Sequence, residues 1–306
     1  MPDDFDYVTG DESGEGWNLM LGDSCERLAE IEDESIDLSI YSPPFASLYV
    51  YSPSDRDLGN NSTRDGFIEH YGFILREMYR VTKPGRLSCV HVQQITTTKV
   101  QHGMMSLTDF RGQVIQAHQD AGWIFHGETT VDKDPQMQAI RTKTASLLFV
   151  QLYRDSTVSR PALTDYVLMF RKPGENAVPV VPDIDQKTWI QWAHGVWYDI
   201  RETATLNTVT AKEDADERHI VPLQLPLIER CVRLWSNPGE LILSPFAGIG
   251  SEGYVSLLHN RRFVGCELKP SYWSTAVTNL KRAEAEMALP SLFDEAAASV
   301  ASSTPT

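Results

Sequence analysis

A glycine turn close to the C-terminal end limits what this chain can fold into. Gly248-Ile249-Gly250 stands between an apolar run, Glu240–Leu243, and a helical stretch over 252–259. Glycines at such a junction let the backbone approach a bound ligand closely. The next apolar run, Arg262–Cys266, ends at Glu267, about 20 residues after the first glycine, where a carboxylate accepts hydrogen bonds from ribose hydroxyls. Read through Gly253 the stretch is also G-x-G-x-x-G, the dinucleotide fingerprint, so an NAD-dependent oxidoreductase is one candidate. Only 39 residues follow Glu267. They hold one helix, 271–287, and a tail, whereas a dinucleotide-binding sheet continues with several more βα units. The other strands must come from earlier in the chain, so the sheet is assembled in permuted order with its cofactor half last.

Those earlier strands are legible. Asn18–Leu21 is a short apolar strand ending at Gly22-Asp23, and Ser24 is placed to cap a helix running to about Glu32. Ile36–Tyr41 reads as a buried strand. Phe67–Val81 has helical spacing and ends at Lys83-Pro84-Gly85, after which Leu87–Val92 is a strand. Residues 110–121 form a helix, followed by strands Trp123–Thr130 and Tyr166–Phe170, and Pro222–Trp235 is a further helix. Strands alternating with helices imply a mostly parallel α/β sheet with helices on both faces.

Residues 1–16 are acidic and Gly-rich and read as a flexible arm; 17–287 form the catalytic domain; 288–306, rich in Ala, Ser and Thr, read as a disordered tail. The start of the chain lacks the basic and apolar segments of a secretory signal. No run approaches the roughly 20 apolar residues that span a bilayer. Cys25, Cys89, Cys231 and Cys266 show no ligand spacing, so no metal site is expected. A soluble, reduced, cytoplasmic protein fits. The net charge of −15 is unevenly placed. Residues 1–40 carry −12, while 133–175 carry +3, and a local basic stripe weakens the case that overall charge makes against a nucleic-acid partner.

Ser42-Pro43-Pro44-Phe45 ends a buried strand, on the edge where open α/β sheets bind ligands. Consecutive prolines hold the chain extended and remove N–H donors. The turn therefore offers acceptors, Ser42 Oγ and the Pro43 carbonyl, with an aromatic ring next to them. An exocyclic amino group on a base is a poor nucleophile because its lone pair is delocalised into the ring. Two acceptors on its hydrogens draw the nitrogen toward tetrahedral geometry, and Phe45 is suited to stack on a base taken out of a helix. A nearby sulfonium would supply the methyl, with catalysis coming from positioning and electrostatics. The histidines show no ligand spacing, and the transfer itself needs none. Trp189, Trp192 and Trp197 read as core packing.

In this order the two motifs resemble the amino-methylating DNA methyltransferases of the permuted β arrangement, over roughly residues 18–282. That family carries (D/N/S)-P-P-(Y/F/W) in its N-terminal half and the glycine-rich cofactor motif near its C-terminus. Leu21-Gly22-Asp23 resembles the acidic segment that contacts the cofactor adenine. Arg80–Gly85 resembles the R-V-L-K-P-G-G turn, Val221–Cys231 the helix beside the methionine moiety, and Phe263–Glu267 the ribose-binding strand. The resemblance implies a Rossmann-like S-adenosylmethionine-dependent methyltransferase fold with circularly permuted motifs. It also implies S-adenosylmethionine as cofactor, double-stranded DNA as partner, and a possible restriction enzyme partner. Catalysis would fall to Ser42, Pro43, Pro44 and Phe45, and cofactor binding to Asp23, Ser244, Phe246, Gly248, Gly250 and Glu267.

There are departures. Ser244-Pro245-Phe246-Ala247-Gly248-Ile249-Gly250-Ser251 stands where the family has D-P-F-x-G-S-G-T, which removes an aspartate from the methionine end. Ser in the first catalytic position resembles N4-cytosine more than N6-adenine enzymes. The target-recognition insert falls at about 176–218, with the basic segment 133–160 a second candidate. RNA bases and protein amides remain alternative substrates, since related N-P-P-Y enzymes modify them, but those place the cofactor motif first.

Overall fold

The computed structural model describes residues 7–44, 64–97, 103, 106–142, 145–206 and 222–288. In chain order the strands and helices are β1 (Gly10–Gly14), β2 (Trp17–Leu21), α1 (Ser24–Arg27), β3 (Ile36–Tyr41), α2 (Arg64–Val81), β4 (Thr82–Gln93), β5 (Ile95–Thr97), β6 (Ser106–Thr108) and α3 (Phe110–Asp120). Then follow β7 (Ile124–Val131), α4 (Pro135–Thr142), α5 (Val150–Arg154), β8 (Asp165–Arg171), α6 (Gln186–Trp192), β9 (Val196–Trp197), α7 (Leu225–Trp235), β10 (Leu241–Ser244), α8 (Ser251–Leu258), β11 (Arg262–Glu267) and α9 (Pro270–Ala288).

Nine strands form one sheet in the order β1-β2-β11-β10-β3-β4-β8-β7-β9. The five from β2 to β4 are mutually parallel, while β8 runs antiparallel to both β4 and β7. β2 and β3 are close in sequence, yet β11 and β10, from the far end of the chain, lie between them. This is the permuted assembly that the short stretch after Glu267 requires. Every residue of β3 is buried, as a central parallel strand covered on both faces must be.

The two faces carry separate apolar layers. Leu227, Ile228 and Val232 of α7, Val255 and Leu257 of α8, and Ala276 and Leu280 of α9 pack on one side. Phe67, Tyr71, Ile74 and Met78 of α2 and Phe110 and Val114 of α3 pack on the other. The crossover β10-α8-β11 thus lies on one face and β3-α2-β4 on the opposite face. Right-handed crossovers that lead away from each other must do this, and they leave a crevice between β10 and β3 at the C-terminal edge.

Several local expectations are corrected. Residues 10–14, read as part of a flexible arm, pair with β2 from Gly10↔Leu21 to Gly14↔Trp17. Their ladder is made by backbone, which the acidic side chains do not oppose, and those side chains are paired outward: Asp11 with Arg27 at 2.5 Å, Glu12 with Lys281 at 2.7 Å. A charged outer strand also blocks further edge pairing. The cap of α1 is Asp23, which accepts from the Cys25 N–H, so the helix begins one residue earlier and ends at Arg27 before a short 3-10 turn. β4 starts at Thr82 and includes Lys83-Pro84-Gly85, with Gly85 at φ +74°. Within 176–218, β9 joins the main sheet beside β7, and Trp197 is buried while Trp189 is half exposed. Residues 45–63 lie outside the described residues, as does the tail beyond Ala288. No described helix is long and apolar enough to cross a membrane.

Candidate active site

The sequence-selected residues converge on the C-terminal edge of the parallel strands. β10 pairs with β11 through Ser244↔Gly265 and with β3 through Leu243↔Ser39. The turns after Ser244 and after Tyr41 therefore leave the sheet side by side. Phe246 packs at 5.8 Å from the Tyr41 ring, which ties the cofactor turn to the strand that carries Ser42. Ser24 donates its hydroxyl to the Pro245 carbonyl, and Gly22 N–H donates to the Glu267 carbonyl at 2.9 Å, bringing Asp23 to the same edge.

The glycine turn is held from below. Ala247 N–H donates to the Cys266 carbonyl at 2.8 Å and Gly250 N–H to the Ala247 carbonyl at 2.7 Å. Glu267 accepts from the Gly248 N–H at 2.7 Å and from the Lys269 N–H at 2.9 Å, so one carboxylate fixes both the turn and the start of the next segment. The two glycines differ in what they do. A Cβ on Gly250 (φ +83°) would sit 3.1 Å from the Ala276 Cβ, so this glycine permits α9 to close on the turn. A Cβ on Gly248 (φ +54°) would meet nothing within 4 Å, so the space above it is open. Next to that space the buried hydroxyls of Ser244 and Ser251 have no hydrogen-bond partner among the described residues. An open cradle, unspent hydroxyls and a carboxylate at the end of β11 fit a polar nucleoside ligand.

Glu252, in the first turn of α8, is a residue the sequence reading passed over. It is fully buried, and burial raises its carboxyl to about 8, against a small opposing hydrogen bond from its own backbone, with the Glu267 charge pushing the same way. Its signal was available: an acid inside an otherwise apolar and small helix, S-E-G-Y-V-S-L-L, next to the cofactor turn.

On the other side of the crevice, Ser42 donates its hydroxyl to the His91 carbonyl at 3.1 Å, and His91 Nδ1 lies 3.3 Å from Ser42 Oγ. His91 Nε2 sits 3.0 Å from Asp165 Oδ2. Lys133 Nζ reaches the same oxygen at 2.6 Å, and the Gln93 amide donates to Asp165 Oδ1 at 2.8 Å. Burial works to raise the Asp165 carboxyl, but His91 and Lys133 outweigh it and hold it below the ordinary carboxylate range. Neither His91 nor Asp165 was expected at the site. Both stand at sheet-edge strand ends, His91 near the end of β4 and Asp165 opening β8, paired across the ladder through Gln93↔Asp165. Tyr41 is braced from behind by Tyr71 Oη at 2.9 Å and His118 Nε2 at 3.2 Å. Pro43 is buried and Pro44 partly so; Phe45 lies outside the described residues. Among the described residues no group of three or more His, Cys, Asp or Glu could hold a metal ion.

Comparison with known proteins fits this geometry. A family model described as DNA methylase, of the N6/N4 amino type, matches residues 36–278. The type II methyltransferase M.XycI of Xanthomonas campestris pv. cyanopsidis is 36% identical over 296 residues, covering 87% of this chain and 88% of that protein. Among solved structures, TTHA0409 of Thermus thermophilus, solved with S-adenosyl-L-methionine, superposes with a TM-score of 0.64 at 22% identity, covering 86% of this chain and 94% of its own. The cytosine-N4-specific PvuII DNA methyltransferase superposes with a TM-score of 0.63 at 19% identity, covering 86% of each chain.

Proposed function

Since the chain belongs to the N6/N4 DNA methylase family, we propose that it methylates the N4 amino group of cytosine in double-stranded DNA, at the crevice between β10 and β3. The observation that carries the reading is the adjacency of the two turns, with Ser42 held by β4 on one side and the open cradle over Gly248 on the other. The cofactor is S-adenosylmethionine, which supplies an electrophilic methyl when bound. Glu267 holds the ribose hydroxyls and Asp23 the adenine end. Ser244, Phe246 and Gly250 shape the methionine end, where the Ser251 hydroxyl and the buried Glu252 stand near the position that the family's aspartate would serve.

Ser42 Oγ and the Pro43 carbonyl accept the two amino hydrogens of the target base. They thereby localise its lone pair toward the methyl, and Phe45 stacks on the base ring. Ser rather than Asp or Asn in the first position supports cytosine over adenine. Recognition of the DNA falls to 176–218 together with 133–160. The second segment exposes Phe149, Leu152 and Tyr153 near Arg154, a mix of aromatic and cationic groups suited to bases and phosphates.

The test is to incubate the protein with S-adenosylmethionine and unmethylated DNA, digest to nucleosides and analyse by mass spectrometry. N4-methylcytosine is expected, and its loss in Ser42→Ala assigns it to this site. N6-methyladenine would overturn the base choice and leave the site in place. Methylation by Ser42→Ala at the full rate would refute the site.

A further inference from the structure

The chain Ser42–His91–Asp165 has no task in the account above, which needs only acceptors at Ser42 and Pro43. Methyl transfer leaves a task undone. As the N–C bond forms from the nitrogen lone pair, with the C–S electron pair staying on sulfur, the nitrogen becomes cationic and carries one proton too many. That proton must go somewhere before the product is neutral. We propose that His91, oriented by Asp165, takes it by way of Ser42. The inference rests on the assignment of Ser42 as an acceptor of the amino group.

The geometry leaves His91 placed to receive a proton. Asp165 carries one negative charge, and the Lys133 ammonium already matches it at 2.6 Å on Oδ2, with both side chains almost fully buried. No second cation is required there. His91 Nε2 lies 3.0 Å from that same oxygen and Nδ1 lies 3.3 Å from Ser42 Oγ; in the tautomer that carries its proton on the carboxylate side, the Nδ1 lone pair faces Ser42. The serine hydrogen is thus directed inward, to the His91 carbonyl or to Nδ1, and its lone pairs outward. As the N–C bond forms, the N–H bond breaks with its electron pair left on nitrogen. The proton passes to Ser42 Oγ as the hydroxyl hydrogen moves to Nδ1. The resulting imidazolium faces Asp165 and returns its proton to solvent through its partly exposed ring. Among the described residues, the charged or titratable groups facing His91 are Asp165 of β8 and Lys133 beyond β7, with Gln93 of its own strand holding Asp165.

The experiment is single-turnover methylation of a long duplex made by polymerase copying, followed from acid to alkaline pH. Wild type is expected to lose rate tenfold per pH unit on the acid side. His91→Gln should be about 100-fold slower, within the range of general-base effects, and should lack that acid limb. S-adenosylhomocysteine binding, read as a melting shift, should be unchanged. His91→Ala should regain rate with added imidazole, a response that loss of packing would not give. The double variant Ser42→Ala/His91→Gln should be no slower than Ser42→Ala alone, because the two act as one unit. A slower His91→Gln that keeps the acid limb would reduce His91 to holding Ser42 in place and overturn the relay. So would a His91→Gln at the wild-type rate beside an inactive Ser42→Ala. Full activity in Ser42→Ala would sink the underlying site assignment instead.

Discussion

Glu252 should make the protein less stable as the pH rises. The group is an acid whose ordinary value of 4.5 is raised to about 8 by complete burial, with the neighbouring Glu267 charge adding to it. Between those limits the folded chain holds a proton that the unfolded chain has released. The stability that this carboxyl permits is complete below 4.5 and is lost as the pH climbs through 8. Each pH unit between them costs about 1.4 kcal/mol, so the loss is roughly 3 kcal/mol at pH 7 and nears 5 kcal/mol above pH 8. Glu252→Gln removes the ionisation and keeps the shape. At pH 5 the variant and wild type should melt within a degree or two of each other. At pH 8.5 the variant should melt higher by about 9 °C, at roughly 2 °C per kcal/mol for a chain of this size. Thermal melts followed by circular dichroism across pH 5 to 9 give the comparison directly. A gap between the two proteins that stays constant with pH would show that the folded and unfolded chains release the Glu252 proton alike, so that burial does not raise it, and the reasoning fails.

Three other outcomes follow from the same kind of accounting. His118 is buried flat against Phe170 at 3.7 Å, and burial lowers it from 6.5 to about 3, so its contribution is lost as the pH falls between those values, roughly 3 kcal/mol by pH 4. His118→Gln should flatten the acid side of the melting profile, and an unchanged acid slope would contradict the assignment. Gly248→Ala should fold with a penalty of about 1–2 kcal/mol for its left-handed backbone yet lose S-adenosylhomocysteine binding by calorimetry, whereas Gly250→Ala should lower the melting temperature first because its Cβ strikes α9. Asp37 joins Lys83 at 2.6 Å and Arg86 at 3.4 Å, and takes the Leu241 N–H, on the edge opposite the site. Asp37→Ala should cost about 1–3 kcal/mol by leaving the Leu241 N–H without this acceptor, since Arg86 keeps its pair with Glu240, with cofactor affinity of the folded protein unaltered.

What the sequence made legible was whatever local chemistry demands. Gly250 must be glycine because its φ is positive and Ala276 lies against it, and such a need is visible as a letter. Ser42-Pro43-Pro44 shows itself because two prolines after an apolar run have few other uses. β1 was hidden because its ladder is a backbone property, while its side chains, Asp11 and Glu12, serve Arg27 and Lys281 from distant segments. His91 and Asp165 were hidden for the same reason. Each is an ordinary polar residue at a strand end, and 74 positions separate them in the chain. Only the β4–β8 ladder brings them together behind Ser42. Spacing along one segment carries no trace of a contact that pairing between segments creates.

The permutation explains why the residues chosen from the sequence nonetheless converge on one edge of the sheet. A ligand crevice opens where two right-handed crossovers lead away from each other, and that condition concerns β10-α8-β11 and β3-α2-β4, not the order in which they are synthesised. Here the chain writes β3 first and β10 about 200 residues later. The cost of that order is that β2 and β3 stand apart until β11 and β10 fill the gap between them, so Leu19, Leu38 and Ile40 lack their central neighbours until the last quarter of the chain exists. The cofactor half is therefore the keystone of the sheet as well as one wall of the site. A ligand seated against Gly248 and Glu267 binds the element that closes the core, and its affinity adds directly to the stability of the whole fold. That linkage is why a melting shift reports cofactor binding here even in variants, such as His91→Gln, whose chemistry is expected to be slowed.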